Sequence, residues 1–290
     1  GWLFNIVARG RASYDRIRGL LAVEPEIEDR LGALDRRPSG DISFSLEKFQ
    51  FTGDERAALR DIHFTIKRGE TLGIAGKTGS GKSAILRLLL REFDNYEGTI
   101  TYDGISINDY KKQRLREAIG YVPQDHFLFS ATVAGNIAFA RPEASMDEIH
   151  QAAKLAHIHE DILQFSDGYD TVVGERGVSL SGGQKQRISI ARALMMQPEL
   201  LILDDSLSAV DAKTEEAILD SLKKMRTGET TIITSHRLSA IQHAHQILVM
   251  ENGTVAEIGT HEELMRKKGR YYEMYELQKL EELVEKGGEA

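Results

Sequence analysis

The chain has 290 residues, with 37 Lys plus Arg against 45 Asp plus Glu and a formal net charge of -8. That acidic balance provides no broad basic face for nucleic acid, and 41% hydrophobic with 28% charged residues is the composition of a folded chain, not a disordered one. With no cysteine, disulfides, thiolate metal sites and cysteine nucleophiles are excluded, which suits a reducing compartment.

No apolar run approaches the roughly 20 residues that span a bilayer. The start lacks both the basic stretch and the small-residue cleavage site of a signal peptide. The chain opens on Gly1 and not Met, which points to a processed chain or a piece of a longer one. Residues 1–22 predict an amphipathic helix. Leu3, Ile6, Val7, Tyr14, Ile17, Leu20 and Leu21 follow helical spacing, with Arg9, Arg11, Arg16 and Arg18 elsewhere on the surface. Glu24-Pro25-Glu26 ends the pattern, and Arg36-Arg37-Pro38-Ser39-Gly40 reads as a second linker. The plain expectation for such a helix is packing against its own domain.

From Ile42 to Ile66 the texture is that of strands: Ile42, Phe44 and Leu46 alternate, then Phe49 and Phe51, then Ile62, Phe64 and Ile66. Further on, Ile100, Tyr102, Ile105 and Ile107 alternate around the hairpin signal Asp103-Gly104. Short unbroken apolar runs at 71–75, 200–203, 231–234 and 247–250 suit strands buried on both faces of a parallel sheet. Residues 146–196 are mostly helical in pattern, so the coarse expectation is a mixed α/β fold with a helical insertion.

Gly76-Lys77-Thr78-Gly79-Ser80-Gly81-Lys82-Ser83 matches the phosphate-loop pattern, following the 71–75 strand and opening a helix from Ala84 to Arg91. Glycines let backbone N–H groups converge on phosphate oxygens, and a helix N-terminus adds positive potential. Lys82 would serve the outer phosphates and the Ser83 hydroxyl a Mg²⁺ ion. The loop alone leaves kinases, GTPases, helicases and transport ATPases open. Leu200-Leu201-Ile202-Leu203-Asp204 then places a carboxylate at the end of a buried strand, where α/β sheets hold ligands. Asp204 would support the metal, and Asp205 could orient an attacking water; a helix cap, the reading of a generic Asp-Asp-Ser, is disfavoured after an apolar strand in a phosphate-loop chain.

Leu180-Ser181-Gly182-Gly183-Gln184 precedes a helix expected over Lys185–Met195 and offers a hydroxyl and bare N–H groups at its positive end. Read alone it is equally a glycine-rich turn that caps the helix. As a phosphate-binding element it would lie on a different subdomain from the first, so two chains facing each other would be needed to bring both onto one γ-phosphate.

Here the residues resemble the ATP-binding cassette (ABC) family over about 41–278, with the phosphate loop, Leu180–Gln184 and Leu200–Asp205 in that family's order. The resemblance implies a P-loop NTPase core of α/β class with an antiparallel β subdomain and a helical signature subdomain at about 125–196. Residues 1–40 would be a membrane-domain extension and linker, and 279–290 a tail. It further implies ATP and Mg²⁺ as ligands. Gln124 in Tyr121-Val122-Pro123-Gln124-Asp125 matches the family's glutamine loop, a further contributor to the metal. Ser208-Ala209-Val210-Asp211 matches its dimer-crossing loop, and His236 its switch histidine. Phe51 falls where the family stacks an aromatic on adenine; alone it reads as core, as His236 alone reads as structural. The nucleotide would then be held by Phe51, Lys77, Thr78, Gly79, Ser80, Gly81, Lys82, Ser83, Ala84, Gln124 and His236, and in trans by Ser181, Gly182, Gly183 and Gln184.

Thr171-Val172-Val173-Gly174-Glu175-Arg176-Gly177, and Phe127-Leu128-Phe129-Ser130 followed by Asn136-Ile137-Ala138, look like the exporter forms of the loops that meet the membrane domain. That makes the leading helix the cytoplasmic tail of a last transmembrane helix, and places the chain on the cytoplasmic face of a cell membrane, its own spanning part lying outside this sequence. One departure matters. The family's usual catalytic Glu is Asp205 here, one methylene shorter, and a displacement on the order of 1 Å can cost about 10²-fold in rate. Asp205 with an intact Leu180–Gln184 resembles the degenerate-site half of heterodimeric multidrug exporters of Gram-positive bacteria. The partner expected is a second half-transporter chain, a homodimer using Asp205 itself being the alternative. ATP-dependent clamps on nucleic acid or ribosomes are disfavoured, since only about 100 residues separate Ser83 from Ser181 and there is one phosphate loop. Importer ATPases are disfavoured by the 171–177 loop and the leading helix.

Overall fold

The computed structural model describes residues 1–174 and 178–287. A leading helix, α1 (Trp2–Leu21), covers the predicted span, but none of its residues is buried. The expectation that it packs on its own domain is therefore corrected: its apolar stripe faces solvent, with Trp2 77% and Phe4 84% exposed. The linker after it does dock, with Leu34 bridging backbone to backbone with the segment 109–111.

Two strands follow, β1 (Ile42–Phe49) and β2 (Leu59–Ile66), whose alternation buries Ile42, Phe44 and Leu46 against Ile66, Phe64 and Ile62 in antiparallel register. Next come β3 (Thr71–Gly76) and α2 (Lys82–Leu89), which stops short of the predicted Arg91 because that residue takes a φ of 51°. A hairpin, β4 (Tyr96–Tyr102) with β5 (Ile105–Ser106), turns at Asp103-Gly104 and completes a four-stranded antiparallel sheet in the order β2-β1-β4-β5.

Helix α3 (Lys112–Glu117) leads to β6 (Ile119–Val122). The helical insertion then begins at a short strand, β7 (Ala131–Thr132), and holds α4 (Val133–Ile137), α5 (Met146–Leu155), α6 (His159–Leu163), β8 (Val172–Val173) paired with β7, and α7 (Gly182–Leu194). Of the predicted 171–177 loop, residues 175–177 lie outside the described residues.

The chain returns to the sheet with β9 (Leu200–Asp204), crosses over α8 (Ala212–Met225), and adds β10 (Thr230–Thr234), β11 (Gln246–Glu251) and β12 (Thr254–Gly259). It ends in α9 (His261–Lys267) and α10 (Arg270–Gly287), a helix that runs through the predicted 278/279 boundary. The central sheet has the order β12-β11-β3-β10-β9-β6, parallel except for β12 on β11. Every residue of β9 and β10 is buried, as expected where both faces are covered.

Candidate nucleotide site

Four loops converge because four neighbouring strands run parallel. The segments leaving the carboxyl ends of β3, β10, β9 and β6 carry the phosphate loop, His236, Asp205 and Gln124 in that spatial order. The register aligns those ends, since Thr234 pairs with Ile74 on one side and Asp204 on the other. Such crevices are where parallel α/β sheets bind ligands.

The phosphate loop is shaped by its glycines. A Cβ on Gly76 (φ 150°) would stand 2.6 Å from the Met250 carbonyl oxygen, and one on Gly81 (φ 108°) 2.7 Å from Leu59 Cδ2. Gly79 (φ 79°) instead faces open space. Two glycines therefore let the loop press onto the sheet, while the third sits on its open side with Lys77 and Thr78, both exposed. Lys82 is buried, and its Nζ donates to the carbonyls of Gly76 (2.7 Å) and Lys77 (3.1 Å). Burial lowers its pKa, opposed by the charges of Asp205 and then Asp204. The Ser80 hydroxyl is buried without a partner among the described residues. A buried cation bonded to loop carbonyls, an orphan hydroxyl and the start of α2 form a cradle suited to a polyanion. Ser83 is exposed at that helix start and Ala84 is buried beneath it.

Both oxygens of Asp204 are engaged: Oδ1 accepts from Thr234 Oγ1 at 2.6 Å and Oδ2 from the Tyr121 hydroxyl at 3.1 Å. Burial, with Asp204 beside it, pushes the Tyr121 pKa up, so that hydroxyl keeps its proton and remains a donor. Asp204 fits a Mg²⁺ ion through its water shell, since Mg²⁺ holds several waters and takes few protein ligands. Asp205 has a φ of 46°, in the left-handed region that Asp tolerates better than most residues. Its N–H is shared by the carbonyl and hydroxyl of Thr234, each at 3.0 Å. Its carboxylate lies 3.5 Å from Gln124 Nε2 and 3.4 Å from the His236 N–H. Contacts of that length sit at the outer limit of hydrogen bonding. Asp205 thus stands between the glutamine and histidine loops.

Ser181 and its neighbours form a second group. Ser181 Oγ accepts from the Gln184 N–H (3.2 Å) while Gln184 Oε1 accepts from the Ser181 N–H (3.0 Å), a capping box at the start of α7. Gln184 Nε2 also donates to Asp161 at 3.3 Å, so both ends of that side chain are engaged in holding the helix start. The amides of Gly182 and Gly183 are left at the tip. The 208–211 loop packs against it: Gln186 Oε1 accepts from the Ala209 N–H at 3.0 Å, and Asp211 caps α8 by accepting from the Thr214 N–H at 3.0 Å. No hydrogen bond among the described residues joins 181–184 to the phosphate loop.

A cavity of about 440 Å³ lies against Gly76, Lys77, His236 and Arg237 and is bounded by Met274, Leu277, Gln278 and Glu281 of α10. Phe51 borders a different cavity, of about 330 Å³, with Gln50, Thr52 and Asn95 among its walls. Its ring is half-buried, edge-on to Phe49 and Phe93, with the Arg87 guanidinium 5.4 Å from its centroid. The structure therefore brings Lys82, Gln124, Asp204, Asp205 and His236 together, and sets Phe51 and Ser181–Gln184 apart from them. Sequence reasoning missed Thr234, which braces both acids, Tyr121, quoted in its motif but given no role, and Gln278. The first two could have been found from the strand register; nothing in the sequence pointed to Gln278.

The sequence pattern described as ABC transporter matches residues 59–208. A probable multidrug resistance ABC transporter ATP-binding/permease protein of Bacillus subtilis is 51% identical over 280 residues, 97% of this chain and 48% of that protein. The multidrug resistance-like ATP-binding protein MdlA of Escherichia coli is 47% identical over 280 residues, 97% of this chain and 47% of that protein. The chain spans about half the length of these relatives. Among solved structures, a bacterial Atm1-family ABC exporter with ATP bound superposes with a TM-score of 0.89 at 39% identity, over 95% of this chain and 48% of that one.

Proposed function

We propose that this chain, which belongs to the ABC transporter family, binds MgATP at the crevice beside Lys82 and closes head-to-tail on a second cassette. That closure would drive efflux of drug-like or lipophilic compounds through membrane parts that this sequence does not contain. Lys82 and the amides of residues 77–84 hold the phosphates. Ser83, Gln124 and Asp204 would hold the Mg²⁺ ion, which would supply positive charge against the phosphates. Asp205 and His236 align the water and the γ-phosphate. Ser181, Gly182 and Gly183, capped by Gln184, act on the nucleotide of the opposing chain, with Ser208 and Asp211 crossing between the two. Phe51 offers its ring to the adenine. The site would face the cytoplasmic side of a cell membrane, a reading supported by its likeness to ATP-binding/permease and exporter proteins.

The observation that carries this reading is the convergence of Lys82, Gln124, Asp205 and His236 at the ends of adjacent parallel strands while Ser181, at the exposed start of α7, has no bond to them. One chain supplies both halves of a phosphate grip but cannot apply them to one nucleotide. Asp205 further suggests the slow half of a heterodimer, since its carboxylate is one methylene short of the usual Glu. ATP hydrolysis by the wild type, Asp205→Glu and Lys82→Ala tests this. A gain on the order of 10²-fold in Asp205→Glu, with Lys82→Ala at the blank, supports the degenerate-site reading. Brisk wild-type turnover with no gain leaves a homodimer that uses Asp205 itself.

A further inference from the structure

The loop after β10 leaves the sheet at Ser235, so its backbone polar groups lose their ladder partners and must find others. Gln278, 42 residues beyond His236, supplies two of them. Its Oε1 accepts from the Leu238 N–H at 2.9 Å and its Nε2 donates to the His236 carbonyl. The amide can sit only one way round, because a carbonyl accepts and an N–H donates. Gln278 therefore spans residue 237 and fixes the backbone on both sides of it. Across the loop, the Arg237 guanidinium donates to the carbonyls of Val210 (3.0 Å) and Ser208 (3.1 Å). The segment 236–238 is thus gripped from α10 on one side and tied to the 208–210 loop on the other.

Helix α10 is itself rooted. Tyr271, fully buried, donates its N–H to Glu257 at 2.9 Å, and its hydroxyl lies 2.9 Å from His261 Nδ1. Two turns on, Gln278 emerges on the wall of the cavity that also touches Lys77 and His236. We propose that Gln278 is a positioning residue for His236: through the backbone of the 236–238 loop, α10 sets where His236 stands relative to Asp205 and the phosphate loop. The proposal rests on the reading of His236 as the group that meets the γ-phosphate.

The test compares Gln278→Ala, Gln278→Glu and Leu280→Ala, the last on the same helix with an exposed side chain. They are made in whichever of the wild-type and Asp205→Glu chains turns over ATP faster. In Gln278→Ala, kcat falls about tenfold or more, while KM for ATP stays within about twofold and MgATP binds with unchanged stoichiometry. The lost rate is then not lost folded protein. Gln278→Glu keeps the Leu238 bond but sets a carboxylate against the His236 carbonyl, so its rate also falls. Leu280→Ala leaves the rate unchanged. Undiminished kcat in Gln278→Ala, or an equal loss in Leu280→Ala, overturns the proposal while leaving the proposed function standing. Turnover no higher than that of Lys82→Ala in every chain overturns the proposed function itself, and this inference with it.

Discussion

Lys82 shows how the lysine of a phosphate loop is held at a cost. An ammonium group prefers water, yet this one is buried against two loop carbonyls, and burial depresses its pKa despite Asp205 and Asp204 nearby. The sign follows from linkage. The unfolded chain holds this proton with the ordinary value of 10.5, so below the depressed folded pKa the charged side chain opposes folding. That penalty fades as pH rises from the folded value towards 10.5. The nucleotide-free Lys82→Met variant, which has no such proton, therefore loses ground to the wild type as pH is raised. Thermal unfolding of both chains up to about pH 10 checks it: the melting temperature of the variant minus that of the wild type should be level at low pH and decline once pH passes the folded pKa towards 10.5. A flat difference would mean that Lys82 carries no depressed pKa.

Among elements, the two helix starts capped by Ser145 and Ser181 allow structure and function to be separated. Both are capping boxes: Ser145 with Glu148 on α5, Ser181 with Gln184 on α7. Removing either hydroxyl costs about 1 kcal/mol of stability, so Ser145→Ala and Ser181→Ala should unfold at similarly reduced urea concentrations. Only Ser181→Ala should also lower ATP turnover, because in the proposed head-to-tail pair only that helix start would meet an opposing nucleotide. Equal turnover in the two variants would reduce the Ser181 motif to a cap. The elements around the site were legible where burial writes a pattern: β3, β9, β10 and β11 are short apolar runs because helices and the second sheet cover both their faces. Less was legible where a few contacts decide. β6 is four residues with a glycine in it, and α10 is rich in Glu and Lys, docking through Tyr271 and a few neighbours while Leu277, Leu280 and Leu283 stay exposed. The braces on Asp204 come from Tyr121 and Thr234, 83 and 30 residues away. Such pairings exist only once the sheet register does.

Across the whole molecule, attachment is uneven at the N-terminal end. Helix α1 contributes no buried residue, so its length adds nothing to the core. Seven residues beyond it the linker is held by Arg91, which is fully buried at the end of α2. Its guanidinium donates to the carbonyls of Glu28 and Tyr110, each at 2.9 Å, and pairs with Asp94 at 3.1 Å and Asp29 at 3.5 Å. The leading segment first meets the fold at Ile27 and Glu28, whose carbonyls accept from Lys112 at the start of α3 and from Arg91 just past α2, so it is tied to both helices. The energetics should be correspondingly lopsided. Removing residues 1–22 takes away no packing and should leave the urea midpoint unchanged, while lowering concentration-dependent association by deleting an exposed apolar stripe. Arg91→Ala removes a fully buried side chain and strands the buried Tyr110 carbonyl, while the part-exposed Asp94 and Glu28 can turn to water, a loss of about 1–3 kcal/mol. Urea unfolding of the two variants beside the wild type decides it. A midpoint that falls on truncation would mean that α1 packs on the fold, and an unshifted midpoint in Arg91→Ala would mean that the linker is held by its surface pairs.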